Sequence, residues 1–347
     1  MIEKDLDSVG LGFDIIISGA GTAGCALASN LSKNFKVLLI DVKTFPRKKA
    51  CSGILVSGAK YFFGSQIDKK VLAAPPELDI EYIDWDNDLR NFSRKRFLNS
   101  NRFELDKLLL DQVTKKPNAS FLPNTRVVEF ADAEDKNFKV VLCESNGIIK
   151  PIIAKYLIGC DGAVSLIRRK IFPRNIRFYV GVQELIKADF KLDKAYFIFD
   201  KEITDFYSWV IPKKPFLDVG SLLLPQNTKE KFSLFKRKLA KEFKIKGSGI
   251  LSSAIVLRPE SIKDVCFGKG NVLLCGEAAG LISPSSAEGI SYALRSGKYC
   301  AEAFNAKNPN PLEGYSKNCK PLLSRLEEKF KKSKTISDKN KRKSLFL

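Results

Sequence analysis

Phe13-Asp14-Ile15-Ile16-Ile17-Ser18-Gly19-Ala20-Gly21-Thr22-Ala23-Gly24 is the stretch that decides the fold. Its first half reads as a buried parallel strand, and its second half is Gly-x-Gly-x-x-Gly, the turn that opens a helix. Ala23, Ala26, Leu27, Asn30 and Leu31 lie at helical spacing, and after Ser32 to Phe35 the chain resumes as a strand, Lys36-Val37-Leu38-Leu39-Ile40, ending in Asp41. Strand, helix and strand make a complete βαβ unit. Gly19 serves the tight turn, Gly21 lets the backbone approach a pyrophosphate, and Gly24 lets the helix pack closely on the strand. Thr22 and Ala23 stand at the helix N-terminus, which faces the phosphates, and Asp41 stands where an acid accepts hydrogen bonds from an adenosine ribose. The segment predicts a Rossmann-type dinucleotide site.

Two later segments repeat the strand-into-turn pattern. Tyr156-Leu157-Ile158-Gly159-Cys160-Asp161-Gly162 ends a strand in an acid-glycine turn, with Ser165 at or near the start of a short basic helix. Asn271-Val272-Leu273-Leu274-Cys275-Gly276-Glu277-Ala278-Ala279-Gly280 runs a strand into glycine and an acid, and a helix begins at Ile290 after Gly289. Ile290, Ala293, Leu294, Gly297, Cys300, Ala301 and Phe304 give that helix an apolar face, and the positive end of its dipole favours negative charge at its N-terminus.

Together the three motifs resemble the glutathione-reductase-like flavoproteins with an inserted substrate domain, and within them the geranylgeranyl reductase family. That family's Tyr-x-Trp-x-Phe-Pro signature is matched by Tyr207-Ser208-Trp209-Val210-Ile211-Pro212, and its basic-then-Cys-x-Gly loop by Pro46 to Gly53. Arg102 with Leu105 and Asp106 is similar to its Arg-x-x-Phe-Asp helix start. The chain departs from the family at Glu277, where Asp is usual, at Ile211, where Phe is usual, and at Ser52, which separates the common Cys-Gly pair.

The resemblance implies FAD as cofactor. It places FAD contacts at Gly19, Gly21, Thr22, Ala23, Gly24, Asp41, Arg47, Ser52, Gly53, Arg102, Val127, Asp161, Gly162, Gly276, Glu277, Gly289 and Ile290. The expected architecture is an α/β Rossmann-type FAD-binding domain assembled from 1–58, 100–172 and 262–305. A mainly antiparallel β-sheet substrate domain (α+β) is inserted as 59–99 and 173–261, and a C-terminal helix with a basic tail occupies 306–347. Alternating, strand-like composition over Ala195–Phe199, Tyr207–Ile211 and Leu217–Leu223 supports the sheet, and an amphipathic helix is expected over Glu230–Phe243.

Composition narrows the chemistry. The 347 residues contain no histidine, so the commonest general base and metal ligand are both missing, and hydrolytic and metal-dependent reactions become poor fits. No metal site is expected; a bound cofactor carries the reaction and the protein orients it. The eight cysteines show no Cys-x-x-Cys spacing and read as reduced, mostly buried thiols. No apolar run approaches the roughly 20 residues of a membrane span, and Met1 to Ser8 is too polar for a signal peptide, so a cytoplasmic protein is expected.

The formal net charge is +20, with the strongest excess from Lys317 to Lys343. This stretch reads as a solvated, partly disordered tail, or, through Leu322, Leu323, Leu326 and Phe330, as an interfacial helix making peripheral contact with anionic membranes. Nucleic-acid binding has no support beyond charge. Oligomeric state is not legible.

Tyr207 and Trp209, two apart in a strand, point to one face, and with Pro212 they form the candidate lining of a cavity for a small apolar or lipid substrate; packing of the sheet core is the plainer reading of the pair. The expected reaction is hydride transfer from reduced FAD to an unsaturated carbon, with Cys51 as the candidate catalytic proton donor. Arg47, Lys48 and Lys49 supply positive charge near its thiol. No second Gly-x-Gly-x-x-Gly with its own βαβ context is present, so NAD(P)H would bind transiently, or a ferredoxin-like protein would deliver the electrons. The alternative is a flavin-dependent monooxygenase or halogenase acting on an aromatic or apolar molecule. Aromatic hydroxylases, however, typically carry Gly-Asp-Ala-Ala-His where this chain has Gly280 and no histidine. A flavin-binding protein without turnover is the third reading.

Overall fold

A computed structural model describes residues 5–60, 62, 67–187, 192–307 and 309–346; residues 1–4 of the opening segment and 61, 63–66 and 188–191 of the inserted ranges lie outside it. Gly12–Ser18 is the centre of the first sheet. It pairs in parallel with Val37–Ile40 on one side and with Ile148–Gly159 on the other. Ala119–Leu122 and Val272–Leu274 extend the parallel order outward. Ile15, Ile16, Ile17 and the whole of Val37–Ile40 are buried, because helices and an antiparallel hairpin cover this sheet and leave no wet face to alternate with. The hairpin, Arg126–Asp132 with Lys139–Ser145, pairs onto Ile148–Gly159.

Helices Thr22–Asn30 and Ile290–Asn305 pack against each other beside this sheet. Their closeness depends on Gly297, where an added methyl group would lie 2.4 Å from the Ala23 carbonyl oxygen.

The second sheet has eight strands in the order Ile250–Leu257, Phe178–Lys187, Phe216–Leu223, Ser208–Lys213, Lys194–Phe199, Leu72–Asp84, Leu89–Ser100 and Ile54–Leu55. All neighbours are antiparallel except Lys194–Phe199 and Leu72–Asp84, which run in parallel. Helix Thr228–Glu242 buries Phe232, Phe235 and Leu239 together with Ile83, Val210 and Val219. A second cluster, around Tyr179, Phe206 and Trp209, includes half-buried Tyr82, Phe197 and Tyr207. The architecture is the one the sequence predicts, a Rossmann-type α/β fold carrying a mainly antiparallel sheet.

The C-terminal stretch corrects the sequence reading. Instead of a solvated tail, Lys320–Ser337 is one helix whose Leu322, Leu326, Phe330, Ser333 and Ile336 are buried. Leu322, Leu326 and Phe330 join the core of the Rossmann domain, so the apolar face that an interfacial helix would offer to a membrane is turned inward. High charge suggested disorder, but the lysines occupy the outer side of a helix whose inner side follows helical periodicity. Beyond it, Arg342 crosses to the second sheet and bonds Asp84 through Nε and Nη2 at 2.8 and 2.9 Å. Among the described residues, no helix is long and apolar enough to cross a membrane.

Candidate FAD and substrate site

The glycine turn is built by close approach. Gly19 has φ +104°, and a methyl group at Gly24 would lie 1.9 Å from the Gly19 carbonyl oxygen, so helix Thr22–Asn30 can start only where it does if position 24 has no side chain. That helix has no side-chain cap and no acid in its first turn, which leaves its leading N–H groups, from Thr22 and Ala23 onward, to an anion. Asp41, buried at the end of the next strand, accepts from Ala20 N and Lys43 N, both at 2.9 Å. Beside it Thr125 N donates to the Asp41 carbonyl at 2.8 Å, and a recess of about 240 Å³ opens between Val42, Asn124, Thr125, Arg126 and Glu144. Val127 is buried next to this recess.

A cluster of charge stands before the turn. Arg47 Nη2 would be 3.1 Å from a methyl group at Gly21 and lies 3.8 Å from Asp106 Oδ2. Arg102 Nη2 bonds Asp106 Oδ1 at 2.6 Å, and its Nη1 donates to Cys51 Sγ at 3.3 Å. Burial works against the Arg102 charge, but Asp106 and Cys51 outweigh it and raise its pKa above the ordinary arginine value. Asp106 is likewise penalised by burial yet held below the usual carboxylate range by Arg102, Arg47 and Lys49. The cation that reaches the Cys51 thiol is therefore Arg102; the sequence reading had looked to Arg47, Lys48 and Lys49. Buried Arg47 Nε and Arg102 Nε have no hydrogen-bond partner among the described residues. Half-buried Arg47, which reaches Gly21 at the uncapped helix start, and buried Arg102 behind it each have a donor to spare, a set that fits a pyrophosphate.

The other two motifs meet across the parallel strands. Asp161 Oδ2 accepts from Leu166 N at 3.1 Å, beside Gly162 with φ +75°, and its Oδ1 has no partner among the described residues. Ser165 caps the short helix Leu166–Ile171 as expected. Gly276, with φ +60°, donates its N–H to Ser296 Oγ at 2.9 Å, and Glu277 Oε1 accepts from Leu257 N at 2.9 Å. Burial raises the carboxyl pKa of both Asp161 and Glu277. Arg168, which sequence reading missed beyond the note of a basic helix, lies within electrostatic reach of both and keeps Nε and Nη1 unpartnered among the described residues. Gly289 precedes helix Ile290–Asn305, whose Ser291 N–H is taken by Glu288 Oε1 at 2.7 Å, and Ile290 is buried behind it.

On the sheet side, Tyr207 and Trp209 share a face as predicted, with ring centroids 6.2 Å apart. Their situations differ. Trp209 is buried, lies against Gly220, where a methyl group would sit 2.1 Å from its ring, and donates Nε1 to Asp218 Oδ1 at 3.0 Å. Tyr207 is half-buried among Phe197, Phe199 and Phe206, donates its hydroxyl to the Ser286 carbonyl at 2.7 Å, and stands within electrostatic reach of Cys51. Pro212 is buried, and its carbonyl accepts from Asn99 Nδ2 at 2.8 Å.

Gly53, with φ +69°, packs on Ser100, and Ser52 is half-buried beside it. Lys213 and Asp218 are the residues the sequence reading missed here. The only signal for Lys213 was its place directly after the Tyr-x-Trp-x-Ile-Pro signature. Cys51 thus marks the point where the dinucleotide side and the aromatic sheet come together.

A family model described as FAD binding domain matches residues 13–176. Protein CbrA of Escherichia coli O9:H4 (strain HS) is 31% identical over 334 residues, covering 94% of this chain and 90% of the relative. The chain belongs to the CbrA family. With its FAD binding domain, this CbrA-family chain is an FAD-dependent oxidoreductase by family. Its fold is shared with a geranylgeranyl bacteriochlorophyll reductase-like protein, Ta0516, from Thermoplasma acidophilum, at TM-score 0.82 and 20% identity over 96% of this chain and 90% of that one. It is also shared with CmlS, a flavin-dependent halogenase, at TM-score 0.70 and 19% identity over 91% and 63%. The family is therefore CbrA, where the motifs had named geranylgeranyl reductase, and the likeness to the reductase-like protein is one of fold.

Proposed function

We propose that this CbrA-family protein reduces a carbon–carbon double bond of an apolar, isoprenoid-like substrate. The observation that carries the reading is the placement of Cys51. Its thiol accepts a hydrogen bond from Arg102, in the cluster before the glycine turn, and is within electrostatic reach of Tyr207, at the edge of an aromatic-lined sheet. The unpartnered Arg47, Arg102 and Arg168 nitrogens fit the cofactor's anionic groups, and Asp41 its ribose.

FAD, when bound there, supplies hydride chemistry. The protein's part is to hold the substrate against Tyr207 and to move one proton. Cys51 Sγ–H would give its proton to the alkene carbon that does not take the cofactor's hydride, the alkene's π pair would form that C–H bond, and the thiolate would be left beside Arg102. Transient NAD(P)H or a ferredoxin-like protein supplies the electrons.

Cys51→Ala is expected to keep its flavin and lose turnover by about 100-fold, the usual size of a general-acid contribution. Anaerobic re-oxidation of the reduced protein by polyprenyl compounds, followed by mass spectrometry, tests both points. A product heavier by two hydrogens, and a slow Cys51→Ala variant, are expected. Unchanged turnover in Cys51→Ala removes the thiol from the mechanism. A product that requires dioxygen, or carries halide, assigns the chain to the oxidative chemistry named for CmlS instead.

A further inference from the structure

Directly under the Cys51–Gly53 loop, the second sheet presents a charged pair that the reaction just described does not use. Lys213 Nζ donates to Asn99 Oδ1 at 2.6 Å and to the Ser100 carbonyl at 2.8 Å. Ser100 in turn is tied to the loop, its N–H at 2.9 Å and its hydroxyl at 2.6 Å from the Gly53 carbonyl. A methyl group at Gly53 would lie 3.2 Å from Lys213 Nζ, so the loop rests on the ammonium itself. Two of the three ammonium donors are spent on these contacts among the described residues. Asp218, from the neighbouring strand, is wholly buried and faces this lysine; one of its oxygens takes the Trp209 N–H, and the other has no hydrogen-bond partner among the described residues.

Such a pair is costly for a sheet interior, where apolar residues of similar volume would pack without desolvation. Its position gives it a use. The charged and titratable groups around the thiol are Arg102 from helix Arg102–Thr114, backed by Asp106, and Tyr207 and Lys213 from the sheet. Those around Lys213 are Asp218, Cys51 and Arg102.

We propose that Lys213 is a positioning residue of the redox site: it fixes the Cys51–Gly53 loop on the substrate sheet and, with Arg102, supplies the positive charge that stabilises the thiolate left when Cys51 gives up its proton. The inference rests on the reading of Cys51 given above. Asp218 tempers that charge. Burial pushes the Lys213 ammonium down to about 8, so its charge is present at pH 7 and fades above pH 8.

Alkylation of Cys51 by iodoacetamide in the FAD-loaded 347-residue protein reads the thiolate without any substrate. Cys266 is the other half-buried cysteine among the eight and serves as an internal reference. At pH 7, Lys213→Met is expected to slow Cys51 alkylation about tenfold, because a positive charge that favours the reactive thiolate is removed, and to leave Cys266 unchanged. The difference should shrink at pH 9. Lys213→Arg restores the rate, and exposed Lys214→Met leaves it alone. Lys213→Gln, which keeps a hydrogen-bond donor for Asn99 and Ser100 but carries no charge, is expected to slow alkylation to the same extent; this holds the proposal to account even if Lys213→Met fails to fold.

Equal Cys51 rates in wild type and Lys213→Met, a parallel change at Cys266, or a wild-type rate in Lys213→Gln would each overturn the proposal. The role of Cys51 in turnover fails separately. If Cys51→Ala turns over normally while Lys213→Met still slows alkylation, the charge assignment stands and the proton-donor reading falls.

Discussion

Arg342→Ala is expected to destabilise the protein by about 3–5 kcal/mol, the cost of leaving a buried partner charge uncompensated. Arg342 is 1% exposed and Asp84 not at all, and the guanidinium clamps the carboxylate through two donors while its Nη1 donates to the Ile336 carbonyl at 3.0 Å and Nη2 also reaches Asp86. Asp84 belongs to the second sheet, whereas Arg342 lies on the short helix Lys339–Arg342 that follows Lys320–Ser337, the helix anchored in the core of the Rossmann domain by Leu322, Leu326 and Phe330. Losing the pair thus loosens the strap between the two domains as well as exposing a charge. Urea unfolding of wild type and variant measures the difference; a loss below 1 kcal/mol contradicts the structural role given to the C-terminus.

The same contact carries an acid sensitivity. Burial alone raises the Asp84 pKa, but the bonds from Arg342 and Asn87 outweigh it and hold the carboxyl below its ordinary value. With the folded pKa below the unfolded one, the stabilisation is present above the ordinary carboxylate range and is lost as pH falls through the folded value. In Asp84→Asn that part of the acid dependence should disappear.

Gly24→Ala is expected to weaken FAD binding by about 100-fold, the equivalent of the roughly 3 kcal/mol that severe overpacking costs. The added methyl group meets backbone, the Gly19 carbonyl at 1.9 Å, and behind it Ile17 Cγ2 at 3.3 Å. No side-chain rotation relieves a backbone clash, so the helix must move away from the strand and carry its anion-facing N-terminus with it. Fluorescence titration of the deflavinated protein with FAD gives the affinity. Gly162→Ala is the contrast: it has φ +75° but open space around it, so backbone strain is the only cost and a smaller loss is expected.

What could be read in the sequence was whatever repeats at short range. The strand Gly12–Ser18, the glycine turn, the helix from Thr22 and Asp41 at the end of the second strand are local patterns and lie where spacing put them. The strands around Tyr207 and the helix Thr228–Glu242 were legible for the same reason. Long-range pairings were not. Arg342 finds Asp84 258 positions away, and a stretch read by its charge as a solvated tail gave no sign of that partner. Lys213 and Asp218 escaped notice because each is an ordinary charged residue in its own strand; only the antiparallel register of Ser208–Lys213 with Phe216–Leu223 and the nearby Asn99 and Ser100 turn them toward the Cys51 loop. Trp209 shows the reverse. The motif singled it out beside Tyr207, yet its ring is committed to Gly220 and Asp218, whereas the half-buried tyrosine reaches across to the Ser286 carbonyl.

The flavin content of the purified 347-residue chain tests the central claim most directly. Release by heat, chromatographic identification and quantitation against protein should return FAD at close to one per chain, with the content falling steeply in Gly24→Ala. A chain that carries FMN, or that cannot be loaded with FAD after reconstitution, would contradict the account.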